Sequence, residues 1–193
     1  MFIPFIIVLA VVIVYVISIY NDLQKLKTQI VASIQEIGNQ LKRQASLIPN
    51  LQATVKGYLK HEKKIFEMLT DARKAAEKAG KTGSDKDIDA AITQMQQAIP
   101  KLTVAVEDNP ELKSNESVSK FMNELTDTAD KLMYARRSVI DLSQTYNQKL
   151  VVFPSNMIAN MFGFKPEKGL ATALTGSHVE VSAAETKDVK VEL

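Results

Sequence analysis

The sequence predicts an all-α protein: an N-terminal single transmembrane helix continuing into an antiparallel four-helix bundle of long helices, then a disordered C-terminal tail. Three observations carry this. An uncharged apolar run fills residues 2–20. From Leu23 to Leu150 apolar residues recur every three or four positions, the period of one helix face. The 193 residues include only 7 Gly and 6 Pro, the residues that long helices tolerate least.

The apolar run is about 19 residues long, close to the ~20 a helix needs to cross the hydrocarbon core. A cleavable signal peptide would show a basic leading region, a shorter apolar stretch and a small-x-small cleavage site. No Lys or Arg precedes this run, and it ends on the bulky Val14-Tyr15-Val16-Ile17-Ser18-Ile19-Tyr20. A retained anchor, residues 1–20, is the expectation. Cations set orientation, because cytoplasmic flanks collect Lys and Arg. Lys25, Lys27, Lys42 and Arg43 all follow the run. The expected placement is the cell (inner) membrane, single-pass, with the N-terminus outside and the bundle cytoplasmic.

The helical domain is expected over residues 21–164. Leu23, Leu26, Ile30, Ile34, Ile37 and Leu41 form the first stripe, which few breakers separate from the anchor. That helix should stop near Ala45. Ser46 then suits an N-cap, with Pro49 in the following first turn. Leu51, Val55, Leu59, Ile65, Leu69, Ala72 and Ala76 carry the second helix, with Gly57 inside it and Gly80 at its end. Residues 80–87 read as a polar loop. Ile88, Ile92, Met95, Ile99, Leu102 and Val106 carry the third helix, with a kink or early break expected at Pro100. Asp108-Asn109-Pro110 ends it. The fourth stripe is the longest, from Val118 through Leu125, Leu132, Val139 and Tyr146 to Leu150. Residues 165–193 turn polar and read as a flexible tail. The alternations at residues 178–181 and 189–193 also suit short strands on a partner.

Composition narrows the chemistry. The absence of Cys removes disulfides, thiolate nucleophiles and Cys-type zinc sites. A net charge of +2 lacks the basic excess of a nucleic-acid binder. Gly80-Lys81-Thr82 resembles the end of a phosphate loop, but the glycine required five positions earlier is Ala75 and no strand precedes it. His61 and His178 lack the Glu-x-x-His spacing of a di-iron bundle. Glu124 and Asp127 read as solvated carboxylates. Lys56, Lys60 and Lys64 read as one solvated basic face. No catalytic residue, metal ligand or cofactor-binding residue is expected, and no cofactor.

Two sets of residues remain as candidates. Arg43, Asn50, Glu62, Arg73 and Arg136 lie on or beside the apolar stripes. Buried charges must be paired, so a Glu62–Arg136 or Arg43–Glu62 pair would fix helix register; Arg73 and Arg136 also suit snorkelling at the rim. The second set is the apolar segment FPSNMIANMFGF, residues 153–164. Phe153, Met157, Ile158, Met161, Phe162 and Phe164 suit a membrane interface, with Lys149, Lys165 and Lys168 beside them. They equally suit a cap on the bundle core.

Several stretches together carry a family resemblance. They are Tyr20-Asn21, Leu47-Ile48-Pro49-Asn50-Leu51, Val55-Lys56-Gly57-Tyr58, His61-Glu62 and Ala72-Arg73. Further on come Asn109-Pro110-Glu111-Leu112-Lys113, Ala135-Arg136, Tyr146-Asn147, Phe153-Pro154 and Gly163-Phe164. In these, over about residues 20–164, the chain resembles the LemA family of bacterial membrane proteins. The resemblance implies a single-pass N-terminal anchor and a helical bundle, and it supplies no enzymatic activity. The functional expectation is a non-enzymatic membrane-anchored scaffold or adaptor that self-associates and organises or remodels membrane. The alternative is a sensor or regulatory partner of another membrane protein, recruiting through the tail. The expected partners are the lipid bilayer, other copies of the chain and another membrane protein, with no nucleic acid.

Overall fold

The computed structural model describes residues 2–59 and 62–170. Among them the only regular elements are helices: α1 (Phe2–Val55), α2 (Lys63–Thr82), α3 (Asp85–Glu107), α4 (Pro110–Lys113), α5 (Glu116–Val151) and α6 (Ser155–Met161). The all-α expectation holds for these residues. Lys60, His61 and the expected tail from residue 171 onward lie outside them.

α1 has 54 residues, about 81 Å at 1.5 Å per residue. Its first part is long and apolar enough to cross a membrane, and none of that window is buried against the rest of the chain. From Leu23 onward the same helix turns a buried stripe toward its neighbours. Span-length segment and core helix are therefore one element, as the scarcity of breakers predicted.

The expected stop at Ala45 does not form. The Ser46 hydroxyl donates back to the Arg43 carbonyl at 2.7 Å instead of capping a new helix, and α1 continues through Pro49. A proline in a helix interior costs about 3 kcal/mol relative to alanine. Leu47, Ile48, Leu51 and Val55 are all buried, and each such burial is worth ~1.5–3 kcal/mol. Packing outweighs the local penalty, so the chain turns only after Val55. Gly57, expected inside a helix, lies exposed in that turn. Lys56 lies there too, while Lys64 belongs to α2, so the basic line expected on one helix face is interrupted.

α2 also outruns its expected end. Gly80 stays helical, and the left-handed C-cap is Gly83 at φ 59°, a conformation open to glycine because it lacks Cβ. Ser84 caps α3 by accepting the Asp87 N–H at 3.2 Å, which reduces the expected polar loop to a tight connection. α3 runs on through Pro100 to Glu107 without a break. Pro100 is exposed while Ala98, Leu102 and Val106 are buried, so the missing N–H falls on the outer side. Asn109 accepts N–H bonds from Glu111 and Leu112 to start the short α4, and Asn115 caps α5 through Val118. Neither α4 nor α6 was expected from the periodicity, since pieces of four and seven residues are too short to show one.

Ion pairs and hydrogen bonds tie the helices together. Asp22 pairs with Lys149 at 2.6 Å, and the Nε of Arg43 donates to Glu124 at 3.1 Å. As residue number rises along α1 it therefore falls along α5. Gln52 joins α1 to α2 through the Phe66 carbonyl, Lys78 joins α2 to Asp87 at the head of α3, and Asp89 joins α3 to Arg136 of α5.

The apolar interior falls into two clusters. The larger takes Ile37 to Val55 from α1, the inner faces of α2 and α3, Leu112, and Val118 to Val139 from α5. The smaller consists of Leu23, Leu26, Ile30, Tyr146 and Ala159, with Ile19, Leu142, Leu150 and Phe164 packed against it.

Candidate functional site

The smaller cluster sits where the apolar run of α1 gives way to its buried stripe. Here α1 and α5 pack as a pair, and two helices cannot enclose a core by themselves. The chain after α5 completes it. α6 turns Ile158 and Ala159 inward, and Gly163 at φ 72° reverses the backbone. Phe164 then meets Tyr146 at 6.5 Å and Tyr20 at 5.6 Å between ring centroids. Phe162 meets Tyr20 from the other side at 4.9 Å. Such aromatic contacts contribute about 0.5–1.5 kcal/mol each beyond burial.

Tyr146 is fully buried and donates its hydroxyl to the Lys165 carbonyl at 3.1 Å. Burial first, and the nearby Glu167 carboxylate second, hold that hydroxyl above its ordinary pKa. Asn147 grips Glu167 with both ends of its amide, donating to the carbonyl at 2.7 Å and accepting the N–H at 2.9 Å. Lys27 adds an ion pair to Glu167 at 3.7 Å. Leu170 is buried and joins the larger cluster. Residues 165–170, expected in the flexible tail, are thus docked along α1 and α5. A polar stretch gives no periodic signal of docking, because backbone hydrogen bonds rather than an apolar stripe hold it.

The segment 153–164 divides by face. Ala159 and Phe164 pack into the smaller cluster, and Ile158 is buried. Phe153 is 74% exposed, Met157 63%, Met161 66% and Phe162 49%. The two alternatives left open by the sequence, core cap and free apolar face, therefore belong to different residues of one segment.

The candidate polar residues are not brought together. Arg43 takes Glu124 rather than Glu62, and Glu62 stands exposed beside the turn. Arg73 pairs within α2 with Glu77 at 2.8 Å. Asn50 is exposed, and its carbonyl accepts the Thr54 hydroxyl. Arg136 reaches Asp89 at 3.2 Å, the most sheltered of the ion pairs among the described residues. The Asp89 oxygen concerned gains no hydrogen bond from the contact. Burial therefore outweighs the Arg136 charge, and the Asp89 carboxyl is held above its ordinary value. Glu124 and Asp127, read as solvated carboxylates, remain partly exposed, and each pairs with a cation, Arg43 and Lys131.

Sequence reasoning missed Gln44 and Gln40. Gln44 is fully buried on α1, with neither end of its amide partnered among the described residues. Its spacing was the available signal, three residues after Leu41 and four before Ile48. Asn147 was quoted only within a family stretch, and nothing local marked its grip on Glu167. At the far end of the molecule, Gly57, Tyr58 and residues 108–111 line an open cavity of about 570 Å³. No group of three or more His, Cys, Asp or Glu positioned to hold a metal ion occurs among the described residues.

These features define a class, a helical protein whose longest helix carries a span-length apolar segment below an aromatic junction. Residues 33–183 match the model of the LemA family, and the chain belongs to that family. The match begins later than the resemblance, leaving Tyr20-Asn21 and the apolar run outside it. No curated protein matches the chain.

Proposed function

We propose that the chain is a non-enzymatic, membrane-anchored helical scaffold that associates with its own copies and organises the membrane around it. Residues 1–20 cross the inner membrane once, the N-terminus lies outside, and the helices stand in the cytoplasm as an antiparallel four-helix bundle. The observation that carries this reading is the unbroken α1. One helix serves as span-length segment and as spine of the core, so the core is held at a set height and direction above the bilayer. A scaffold needs that rigidity, and a flexible linker would remove it.

Crosslinking of the full chain in native membranes, followed by mass measurement, tests self-association. Crosslinked copies are expected; a product of single-copy mass alone overturns it. The chain has no Cys, so single cysteines report topology directly. A cysteine at the exposed Lys56 should resist impermeant thiol reagents in intact cells.

A second reading is a regulatory partner that recruits another membrane protein through residues 171–193. The grip of Tyr146 and Asn147 on residues 165–167 favours it, because the tail then starts from a set place. Deleting residues 171–193 should abolish capture of that partner and leave crosslinks between copies intact. Loss of both would point to the tail as the self-association element.

A further inference from the structure

We propose that α6 and the turn before it form a second membrane contact. In this contact Phe153, Met157, Met161 and Phe162 lie in the interfacial layer of the leaflet from which α1 emerges, against anionic phospholipid. This rests on the anchor reading of the first helix.

Height is the first argument. Along residues 2–15 every α1 side chain is exposed, whereas Val16, Ile19 and Tyr20 are partly covered. Phe162 meets Tyr20 in a tilted ring contact at 4.9 Å, and Asp22 pairs with Lys149 one turn before Val152. α6 therefore flanks the last turn of the uncharged run. With the run as the span, about 28 Å long at 1.5 Å per residue, that turn is the bilayer boundary.

Face is the second. Met157 and Met161 are four residues apart, one helical turn, on the side away from the buried Ile158 and Ala159. Phe153 and Val152 extend the exposed surface at the head of α6, and Phe162 extends it at the foot. The core already has its cap in Ala159 and Phe164, with Ile158 buried beside them, so Phe153, Met157 and Met161 are surplus to packing, while Phe162 packs one side on Tyr20 and leaves the rest of its ring exposed. An amphipathic element of this kind lies in the interface plane with its apolar side toward the acyl boundary.

Charge is the third. Around this junction stand Lys25, Lys27, Lys149, Lys165 and Lys168 against Asp22 and Glu167. The two acids are taken by Lys149 and Lys27. Lys25, Lys165 and Lys168 are exposed. A cationic fringe over an apolar face matches a leaflet carrying negative headgroups.

The chain contains no Trp, so one introduced indole is a clean depth gauge. The full-length variants Met161→Trp and Phe153→Trp would be reconstituted in phosphatidylcholine–phosphatidylglycerol vesicles with bromine placed shallow or deep on the acyl chains. Both should lose most of their emission to shallow bromine and less to deep bromine. Val11→Trp should respond most to deep bromine, and Tyr58→Trp at the far end to neither. If Val11→Trp is quenched while the indoles at 153 and 161 are not, the second contact is wrong and the anchor stands. If Val11→Trp is itself unquenched, the anchor reading fails and the second contact with it. Blue-shifted but unquenched emission at 161, with crosslinks between copies through that face, would mean that another copy covers it, and overturns lipid as the occupant. Equal quenching without phosphatidylglycerol would overturn the preference for anionic lipid.

Discussion

The two ends of the helical part beyond the apolar run solve the same packing problem with different materials. In the far part, α1, α2, α3 and the first half of α5 surround one interior, and its buried residues are Leu, Ile, Val, Ala and one Met, with no buried aromatic ring. Near the apolar run only α1 and α5 run side by side, and the interior is built on Tyr146 with Phe164 against it and Tyr20 and Phe162 at its edge. The difference follows from geometry. Several helices enclose their apolar stripes with small, interdigitating side chains. A pair of helices leaves a groove on either side, so bulk must come from rings and from a segment of chain that folds back. α6 and residues 162–169 are that segment, and they carry both the tilted and edge-on ring contacts and the exposed apolar face.

The near end should show the largest effect. Tyr146→Ala removes the largest side chain of the smaller cluster and should cost about 3–5 kcal/mol. Hydrogen exchange should show the loss at residues 20–34 and 153–170, with the far cluster still protected. Uniform loss of protection would mean that the two ends are one cooperative unit and the contrast drawn here is false.

The largest change expected in the far part is a gain. Pro49→Ala restores the N–H that the Ala45 carbonyl lacks and should raise stability by up to about 3 kcal/mol, read as a higher melting temperature with unchanged helix content. A loss on substitution would show that the ring packs against α2 more favourably than the restored hydrogen bond. Gln44→Met tests the same interior more gently. A buried, unpartnered amide costs ~1–3 kcal/mol, and methionine keeps its length without its polar atoms, so the variant should melt higher. An unchanged or lower Tm would place an ordered water or another partner on that amide.

The smallest effect concerns the α2–α3 connection. Lys78 first, then the hydroxyls of Thr82 and Ser84, lower the Asp87 carboxyl to about 2. A depressed carboxylate adds stability above its unfolded pKa of roughly 4 and loses it as pH falls toward the folded value. The protection of the amides of residues 83–88, taken relative to their intrinsic exchange rate at each pH, should therefore fall from about pH 4 down to about pH 2, while the near end, held by Tyr146, keeps its protection over the same range. The Asp87→Asn variant should remove that pH dependence.

Much of this was legible in the residues. The span-length run, the stripes of α3 and α5 and the end at Asp108 need only local composition and period. The ends of α1 and α2 were misplaced because Ser46-Leu47-Ile48-Pro49 and Gly80 are local signals for a boundary. In each case the neighbouring residues, Leu47, Ile48, Leu51 and Val55 or Ala76 and Ala79, are buried against helices distant in sequence. The candidate polar pairs were mispartnered for the same reason. Arg43 and Glu124 lie 81 residues apart, and no spacing rule links them. The segment 153–164 was recognised as unusual, yet its inward and outward faces were beyond reach, since the packing of α6 against α1 and α5 decides them.

Charge, period and composition act within a few residues of chain, and they suffice for the helical class, the apolar span-length run and the lack of cysteine chemistry. Tertiary structure alone decided where α1 ends, which charges meet and which side of α6 is left bare. Those outcomes depend on the free energy of burying one helix against another, and that is set by neighbours in space rather than in sequence.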